Sequence, residues 1–498
     1  MNFIEGSSRR EIDLLPACLD DYVESDSPAR EIDSFVESLD LEECGFSFPR
    51  TDTKGRGRPA YHPKSLLKLF IYGYMNGLRS GRKLEKACKL NLEVIWLMQK
   101  LRPDFKTICD FRKDNSDCFK AVAAKYSLNC YREGYIDGKL LAVDGSRIKA
   151  QNAPEKSWSK AKLANFITHV EKEINEYLRR LEEADKCPIP GDEKLHEYVN
   201  SQLDHLKDKK KNLESLQEEL EKSGTNLLSL TDKDAKILKK NGSIIVGYNA
   251  QTTVDSKHGL IICSEVTNRS NDMGLLGPMA TQAKEVLDLN EVDAVADKGY
   301  YSAEDFKECE KNNITTHVSE VMMSPSERQG LFGKRHFIYD PEKDSYTCPA
   351  NHELTRVQKE KGDKKQWSYR NRKACKDCPI KERCTKSSYR TIKRTENDQY
   401  LERNRERLSQ NKDIRRQRKA IVEPPFSWLK LHSLIGGFLT KGLAMVNAEF
   451  SLAQIAFNMK RVATIKNGDL NRAITDLILF MANYMKPHKA SLSQYKAA

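Results

Sequence analysis

The chain has 498 residues, enough for roughly three domains with separate cores. It carries 84 basic against 72 acidic residues, a formal net charge of +12, which favours an anionic partner such as nucleic acid. No apolar run approaches the roughly 18 residues of a membrane span, and "MNFIEGSSRREIDLLP" lacks a signal-peptide pattern, so a membrane or secreted protein is not expected and a cytoplasmic one is.

Residues 1–52 are acidic and helical in pattern. "TDTKGRGRPAYHPK" interrupts them as a Gly/Pro-rich basic linker, in which Arg56 and Arg58 stand as in an AT-hook that enters a narrow minor groove. A plain flexible linker has the same composition. One helix is predicted from Pro63, with Leu66, Leu67, Phe70, Ile71 and Tyr74 on one face, and another after Ser80. "LEVIWLMQKLRPDFKTICDFRKDN" then reads as helix, turn, helix, with Pro103 in the turn and Thr107 as an N-cap answered by Asp110. That is the layout of a helix-turn-helix, whose Lys106, Arg112 and Lys113 would face DNA, although a generic helical bundle has a similar pattern.

"GKLLAVDGSRIKAQNA" is a short apolar strand that ends in Asp144. Residues 161–222 follow with helical periodicity on both sides of "CPIPGD", predicting an inserted antiparallel helical hairpin. From Ser243 the period changes to two, and the chain turns at "DSKHG", giving an antiparallel strand pair. A helix is expected near residues 272–287. "AVADKGYYS" then predicts a buried strand, Val292 to Ala296, that ends at Asp297 and turns through Gly299 into a helix capped by Ser302, with Asp305 three residues later. Ligands and catalytic groups collect at such strand ends in open α/β sheets; the plainer alternative is a turn-capping aspartate.

Two aspartates at strand ends gain meaning with a third carboxylate, because three hard oxygen ligands can hold a pair of Mg²⁺ or Mn²⁺ ions about 4 Å apart. "RRQRKAIVEPPFSWLK" singles out Glu423, with Phe426 and Lys430 at i+3 and i+7 on its helical face and Arg415, Arg416 and Arg418 before it. A solvated basic helix is the alternative. Pro424 predicts a helix start or kink at Glu423. The run "MVNAEFSLAQIAFNMKRV" predicts an amphipathic helix packed on the core, with Lys460 and Arg461 exposed.

Of 13 cysteines, nine, including Cys88, Cys109 and Cys263, lie singly in apolar segments and read as small core residues. Cys348, Cys375, Cys378 and Cys384 cluster, with a CxxC pair and a third cysteine close by. Four thiolates would close a structural Zn²⁺ site; free thiols are the alternative.

Several stretches, "GRPAYHPKSLLKLFIYGYMNGLRSGRKLE", "PDFKTICDFRKDN", "AVDGSRIKAQN", "SLTDKDAK", "GYNAQTTVD", "ADKGYYS" and "VEPPFSWLK", together resemble the DDE transposases of bacterial insertion sequences, in particular the insertion-sequence family numbered eleven-eighty-two. The likeness runs from about residue 8 to residue 465 with the motifs in order. It implies an α/β fold: an RNase H-like catalytic core carrying the helical hairpin and the cysteine-rich insertion, preceded by an all-α DNA-binding domain. It further implies an acidic triad of Asp144, Asp297 and Glu423 holding two Mg²⁺ or Mn²⁺ ions. In related transposases a tyrosine, an arginine and a lysine flank the glutamate and contact DNA phosphates. Lys430 matches that lysine, Lys419 stands at the arginine's offset so that Arg418 is the candidate arginine, and no tyrosine stands at the expected place.

The domains expected are an acidic helical segment (1–52), a helical DNA-binding domain (53–135), core parts (136–160 and 223–325), the hairpin (161–222), the cysteine-bearing insertion (326–395), core C-terminal helices with the third acidic residue (396–465) and a tail (466–498). The function expected is binding of terminal inverted repeats followed by Mg²⁺-dependent cleavage and strand transfer into target DNA. A homodimer or larger assembly would act in the synaptic complex at the bacterial nucleoid. The alternatives are a related nuclease that cuts without joining, or a catalytically silent, domesticated DNA-binding protein.

Overall fold

The computed structural model describes residues 18–46, 59–152, 157–186, 193–222, 227–240, 243–320, 325–359, 366–411 and 413–484. These fall into two compact units. The first comprises the described residues up to Tyr135, Trp428–Ile435 and those from Ser451 onward; the second comprises Ile136–Ser427 and Gly436–Phe450. No helix among the described residues is long and apolar enough to cross a membrane.

The first unit opens with α1 (Pro28–Ser38), α2 (Pro63–Met75), α3 (Gly81–Leu90), α4 (Leu92–Leu97), α5 (Phe105–Asp114) and α6 (Cys118–Arg132). Side-chain caps at Ser27, His62, Ser80 and Asn91 start the first four. α2 is not the one-faced helix that its pattern predicts: every residue from Leu66 to Met75 is buried, so it is the central rod of the bundle. Phe46, Phe70, Phe111 and Phe119 interlock around it. Gly81 lets α3 approach α5, since a Cβ there would sit 2.9 Å from the Phe105 carbonyl oxygen.

The cap of α5 is Asp104, not Thr107: its carboxylate accepts the Thr107 N–H at 2.9 Å, and Thr107 lies within the first turn. Arg112 does not face outward either. It is 8% exposed, its guanidinium stacks over Phe70, and Nη1 donates to the Tyr74 hydroxyl and the Arg79 carbonyl. α5 turns its Ile108, Phe111 and Arg112 face inward, and the long Arg112 stem supplies apolar packing. Lys106 and Lys113 are exposed. The single cysteines Cys88 and Cys263 are buried and Cys109 is half-buried, but Cys18 is exposed at the start of a 3₁₀ turn and is not a core residue.

The second unit begins with β1 (Leu140–Lys149), β2 (Ser157–Ser159), α7 (Lys160–Lys186), α8 (Glu193–Lys222) and β3 (Leu227–Ser229). α7 and α8 are the expected helical hairpin, joined by a seam of Leu163, Val170, Leu206, Leu213 and Leu220; "CPIPGD" lies outside the described residues. Then come β4 (Lys236–Lys240), β5 (Ser243–Asp255), β6 (Ile261–Thr267), α9 (Leu276–Leu287), β7 (Val292–Ala296), α10 (Ala303–Lys311) and β8 (Ile314–Val318). β4 and β6 both pair with β5, and the sheet continues through β1 and β7 to β8. β1, β7 and β8 are parallel; β5 runs antiparallel to β1, and β6 antiparallel to β5. The parallel strands are the near-continuous apolar runs that burial on both faces requires.

A second sheet follows α11 (Pro325–Arg328). Its five antiparallel strands are β9 (Ile338–Asp340), β10 (Ser345–Thr347), β11 (Glu353–Lys359), β12 (Gln366–Arg370) and, after α12 (Arg372–Lys376), β13 (Thr391–Thr395). Tyr346, Leu354, Tyr369 and Ile392 form its core. α13 (Asp398–Gln410) then closes the edge of β8: buried Asn404 exchanges hydrogen bonds with the Val318 N–H and C=O at 3.0 and 2.9 Å.

In α14 (Ile414–Trp428) Pro424 and Pro425 lie inside the helix, so Glu423 marks neither a start nor a break. Ile421, Val422 and Phe426 anchor the segment by burial and hold it through the missing N–H groups; a π turn, Leu429–Ser433, follows. In α15 (Leu443–Tyr484) residues 446 and 448–459 are buried on all sides, so this stretch is a core helix, not an amphipathic one; Lys460 and Arg461 are exposed as expected.

Because Arg112 is a packing residue, Arg112→Ala should lower the unfolding free energy by about 2 kcal/mol. Lys113→Ala, on the exposed face of the same helix, should leave that free energy within about 0.5 kcal/mol of the parent, and denaturant titration of both variants checks the contrast.

Candidate active site

The register of the parallel strands brings two of the predicted residues together. β1 and β7 pair from Leu140↔Asp293 to Val143↔Ala296, so Asp144 and Asp297 are the next residue on each of two adjoining strands. β1 does not end at Asp144. Beyond it the strand runs on to Lys149, paired antiparallel with β5 alone, and Asp144 itself faces Thr252. What ends there is the parallel half of the pairing, because the chain of β7 turns away.

That turn is made by Asp297 itself: Oδ1 accepts the Gly299 N–H at 2.6 Å, and a 3₁₀ turn, Lys298–Tyr300, leads to α10, whose N-cap Ser302 accepts from the Asp305 N–H. Asp297 thus caps its own turn with Oδ1, and Oδ2 is left over. Asp144 likewise uses Oδ1 for the Gly145 N–H at 2.9 Å. Its Oδ2 lies 3.1 Å from Arg418 Nη1 on α14. Burial pushes the Asp144 carboxyl above its ordinary value of 3.8; Arg418 and the Gly145 N–H work against that shift, and Asp297 adds to it.

A third carboxylate, Asp272, stands beside these two, and sequence reasoning missed it. Its Oδ1 accepts from Asn249 Nδ2 at 2.8 Å and Gln251 Nε2 at 2.9 Å. Gln251 in turn accepts a short hydrogen bond from the hydroxyl of Tyr300, which is fully buried. Burial, with Asp272, Asp144 and Asp297 nearby, holds that phenol well above its ordinary range. The glycines after each strand aspartate make the space: a Cβ on Gly145 would come 2.9 Å from Asp272 Oδ1, and one on Gly299 would lie 2.9 Å from Asp297 Oδ1 and 3.4 Å from Asp272 Oδ2. Asn249 lies in the motif stretch "GYNAQTTVD"; the signal for Asp272, an acid in the loop "NRSNDMG", carries no periodicity.

Glu423 is exposed on α14, five residues after Arg418 and so about 140° round the helix from it. Phe426, expected on its face, is buried. Lys419 is exposed, and Arg418 reaches Asp144. Lys430 lies in the π turn of the first unit. Arg56 and Arg58 lie outside the described residues. Among the described residues no three His, Cys, Asp or Glu side chains form a group that could hold a metal ion as they stand. The hard oxygens of Asp144, Asp297 and Asp272 nonetheless suit Mg²⁺ or Mn²⁺, and neither Asp297 Oδ2 nor Asp272 Oδ2 accepts a hydrogen bond within the described residues.

The four clustered cysteines do meet in space. Cys348, Cys375, Cys378 and Cys384 line one cavity of about 20 Å³ at the end of the second sheet. Cys348 opens a tight turn through Asn351, at φ +56°, in which the His352 N–H donates to Cys348 Sγ at 3.3 Å. Burial and the three neighbouring thiols push the Cys384 thiol up, while Arg390 draws it down.

Two family descriptions match the chain: a transposase domain (DUF772) over residues 17–114, and a transposase DDE domain over residues 347–463. No curated protein matches. Among solved structures, a piggyBac transposase synaptic complex with hairpin DNA is similar at 9% identity and a TM-score of 0.31, covering 88% of this chain and 74% of that one.

Folding raises the Asp144 value, so the stability this group contributes is complete below the unfolded value of 3.8 and is lost as pH rises through the folded one. Without divalent cations, Asp144→Asn should therefore raise the unfolding temperature at pH 7, and the gain should vanish below that value.

Proposed function

We propose that the chain, which matches two transposase-domain descriptions, is a DDE-type DNA transposase that cuts the ends of an insertion sequence and joins them to target DNA. The observation that carries the reading is the Val143↔Ala296 register, which delivers Asp144 and Asp297 side by side. The core that does so is RNase H-like: an antiparallel β6–β5 pair continues into the parallel strands β1, β7 and β8, a layout that supports this assignment.

Asp144 and Asp297 would hold the cations; Glu423, exposed on α14 and turned about 140° from Arg418, is the third carboxylate of the expected triad. Divalent ions bound there supply activation of a water or 3′-hydroxyl and stabilisation of the leaving oxygen. The protein's own groups do the rest. The Gly145 and Gly299 N–H groups fix one oxygen of each aspartate and leave the other turned to the site. Arg418 balances the Asp144 charge and offers a guanidinium to a phosphate near the scissile bond. Lys106 and Lys113, exposed on α5, are the candidates for binding the terminal inverted repeats, joined by Arg56, Arg58 and Lys430. An element has two ends and each chain supplies one site, so synapsis calls for at least two copies.

The cysteine cluster takes structural Zn²⁺ in this reading: four cysteine side chains, soft ligands once deprotonated, share one cavity, and an N–H already points at Cys348 Sγ. The ion would tie the β10–β11 turn to α12. Purified protein should contain one zinc per chain by elemental analysis, and Cys378→Ser should lose it and unfold the second sheet at lower temperature. Zinc-free parent protein of unchanged stability would remove the metal from the account.

The direct test uses DNA carrying the inverted repeats with Mg²⁺. The parent should cut and join at the repeat ends, while Asp297→Ala should bind but lose at least about a thousandfold in cutting. Equal activity of the two would remove Asp297 from the chemistry, and cutting without joining would make the protein a nuclease.

A further inference from the structure

We propose that Asp272 is a positioning residue of the cleavage site, which sets the placement of Asp297 and the pull on the divalent cations. The inference rests on the reading of Asp144 and Asp297 as cation-holding residues and extends it to a residue outside the acidic triad.

Three observations converge on it. First, Asp272 is locked in place although it sits on a loop. The Gly274 N–H donates to buried Asp305 at 2.8 Å, Arg147 Nη2 reaches the Ser270 carbonyl at 3.3 Å, and Gly274 takes φ +78°, which a side chain would resist. Asp305 lies in the first turn of α10, so the helix that follows Asp297 also anchors the loop that carries Asp272. Second, Asp272 Oδ1 gathers the amides of Asn249 and Gln251, which are 1% and 0% exposed, and Gln251 receives the Tyr300 hydroxyl. Buried amides of this kind need a partner, and a carboxylate is the strongest acceptor available. The relay therefore runs from Asp272 through Gln251 and Tyr300 to the 3₁₀ turn that Asp297 caps. Third, the remaining oxygen, Oδ2, accepts no hydrogen bond among the described residues, and it and Asp297 Oδ1 both border the space at Gly299. The glycine at position 145 leaves room for the Asp272 carboxylate, and the glycine at position 299 leaves room for that of Asp297.

A carboxylate so placed has two effects. By holding the Gln251 amide it orients the acceptor that ties the Tyr300 turn to β5, and its charge raises the negative potential of the site without needing to touch the reacting atoms. Partners at this remove from a metal typically change its affinity by about 10–100-fold.

The test uses the full chain and Mn²⁺ alone, titrated by the electron paramagnetic resonance signal of the free ion, alongside cleavage of repeat-end DNA as a function of Mg²⁺. Asp272→Asn keeps the shape and an acceptor for both amides while removing the charge. It should bind Mn²⁺ at least about tenfold more weakly and need correspondingly more Mg²⁺ for half-maximal cutting, with unaltered DNA affinity. Asp272→Glu, which keeps the charge but displaces it, should recover part of the Mn²⁺ binding. The unfolding temperature of each variant separates a folding defect from an effect on the site, and whichever variant folds is decisive. Parent-like Mn²⁺ binding and Mg²⁺ dependence in Asp272→Asn, beside an inactive Asp297→Ala, overturns the role of Asp272 alone. A parent-like Asp297→Ala overturns the underlying reading of the site instead.

Discussion

Two carboxylates are held next to each other by backbone hydrogen bonds that neither can escape. β1 and β7 are neighbours in a parallel ladder, Val143 faces Ala296, and the following residue on each strand is an aspartate. At the spacing of adjoining strands, like charges repel by about 3 kcal/mol at an effective dielectric of 20. The sheet tolerates this because the strands are buried apolar runs whose pairing is set far from the charges, and because Arg418 stands 3.1 Å from Asp144.

The other elements are arranged around that juxtaposition. β5 runs beside β1 and contributes Asn249 and Gln251; the loop before α9 contributes Asp272; the turn before α10 contributes Tyr300 and the N–H that orients Asp297. The small residues Gly145 and Gly299 sit where any side chain would displace a carboxylate. Precision thus comes from a rigid sheet, and the loop residue is made rigid by its bonds to that sheet and to α10.

Much of this was legible in the sequence. The strand ending at Ala296, the turn at Gly299 and the Ser302 cap are written in local signals: an apolar run, a glycine, and a serine followed three residues later by an acid. The helical hairpin and the β5–β6 pair follow equally from periodicity. Asp144 was placed at a strand end because glycine follows it, yet pairing with β5 carries the strand onward; a single sequence holds no record of which partner a residue has lost. Arg112 looked like a DNA contact because charge is a poor guide to direction on a helix whose apolar face is narrow. Asp272 was invisible because it is one acid among 72, and its meaning arises only from residues 21 and 23 positions earlier in the chain. Pro424 predicted a break that tertiary burial of Val422 and Phe426 overrides.

The central claim, that Asp144 and Asp297 together hold divalent cations, is tested most directly by loading the protein with Fe²⁺ in place of Mg²⁺ and generating hydroxyl radicals at the bound ion. Backbone scission mapped by mass spectrometry should fall at residues 144–145 and 297–299, with a weaker cut near residue 272, and excess Mg²⁺ should suppress all three. Scission confined to other segments, or cuts at these positions that persist in Asp297→Ala, would contradict the account.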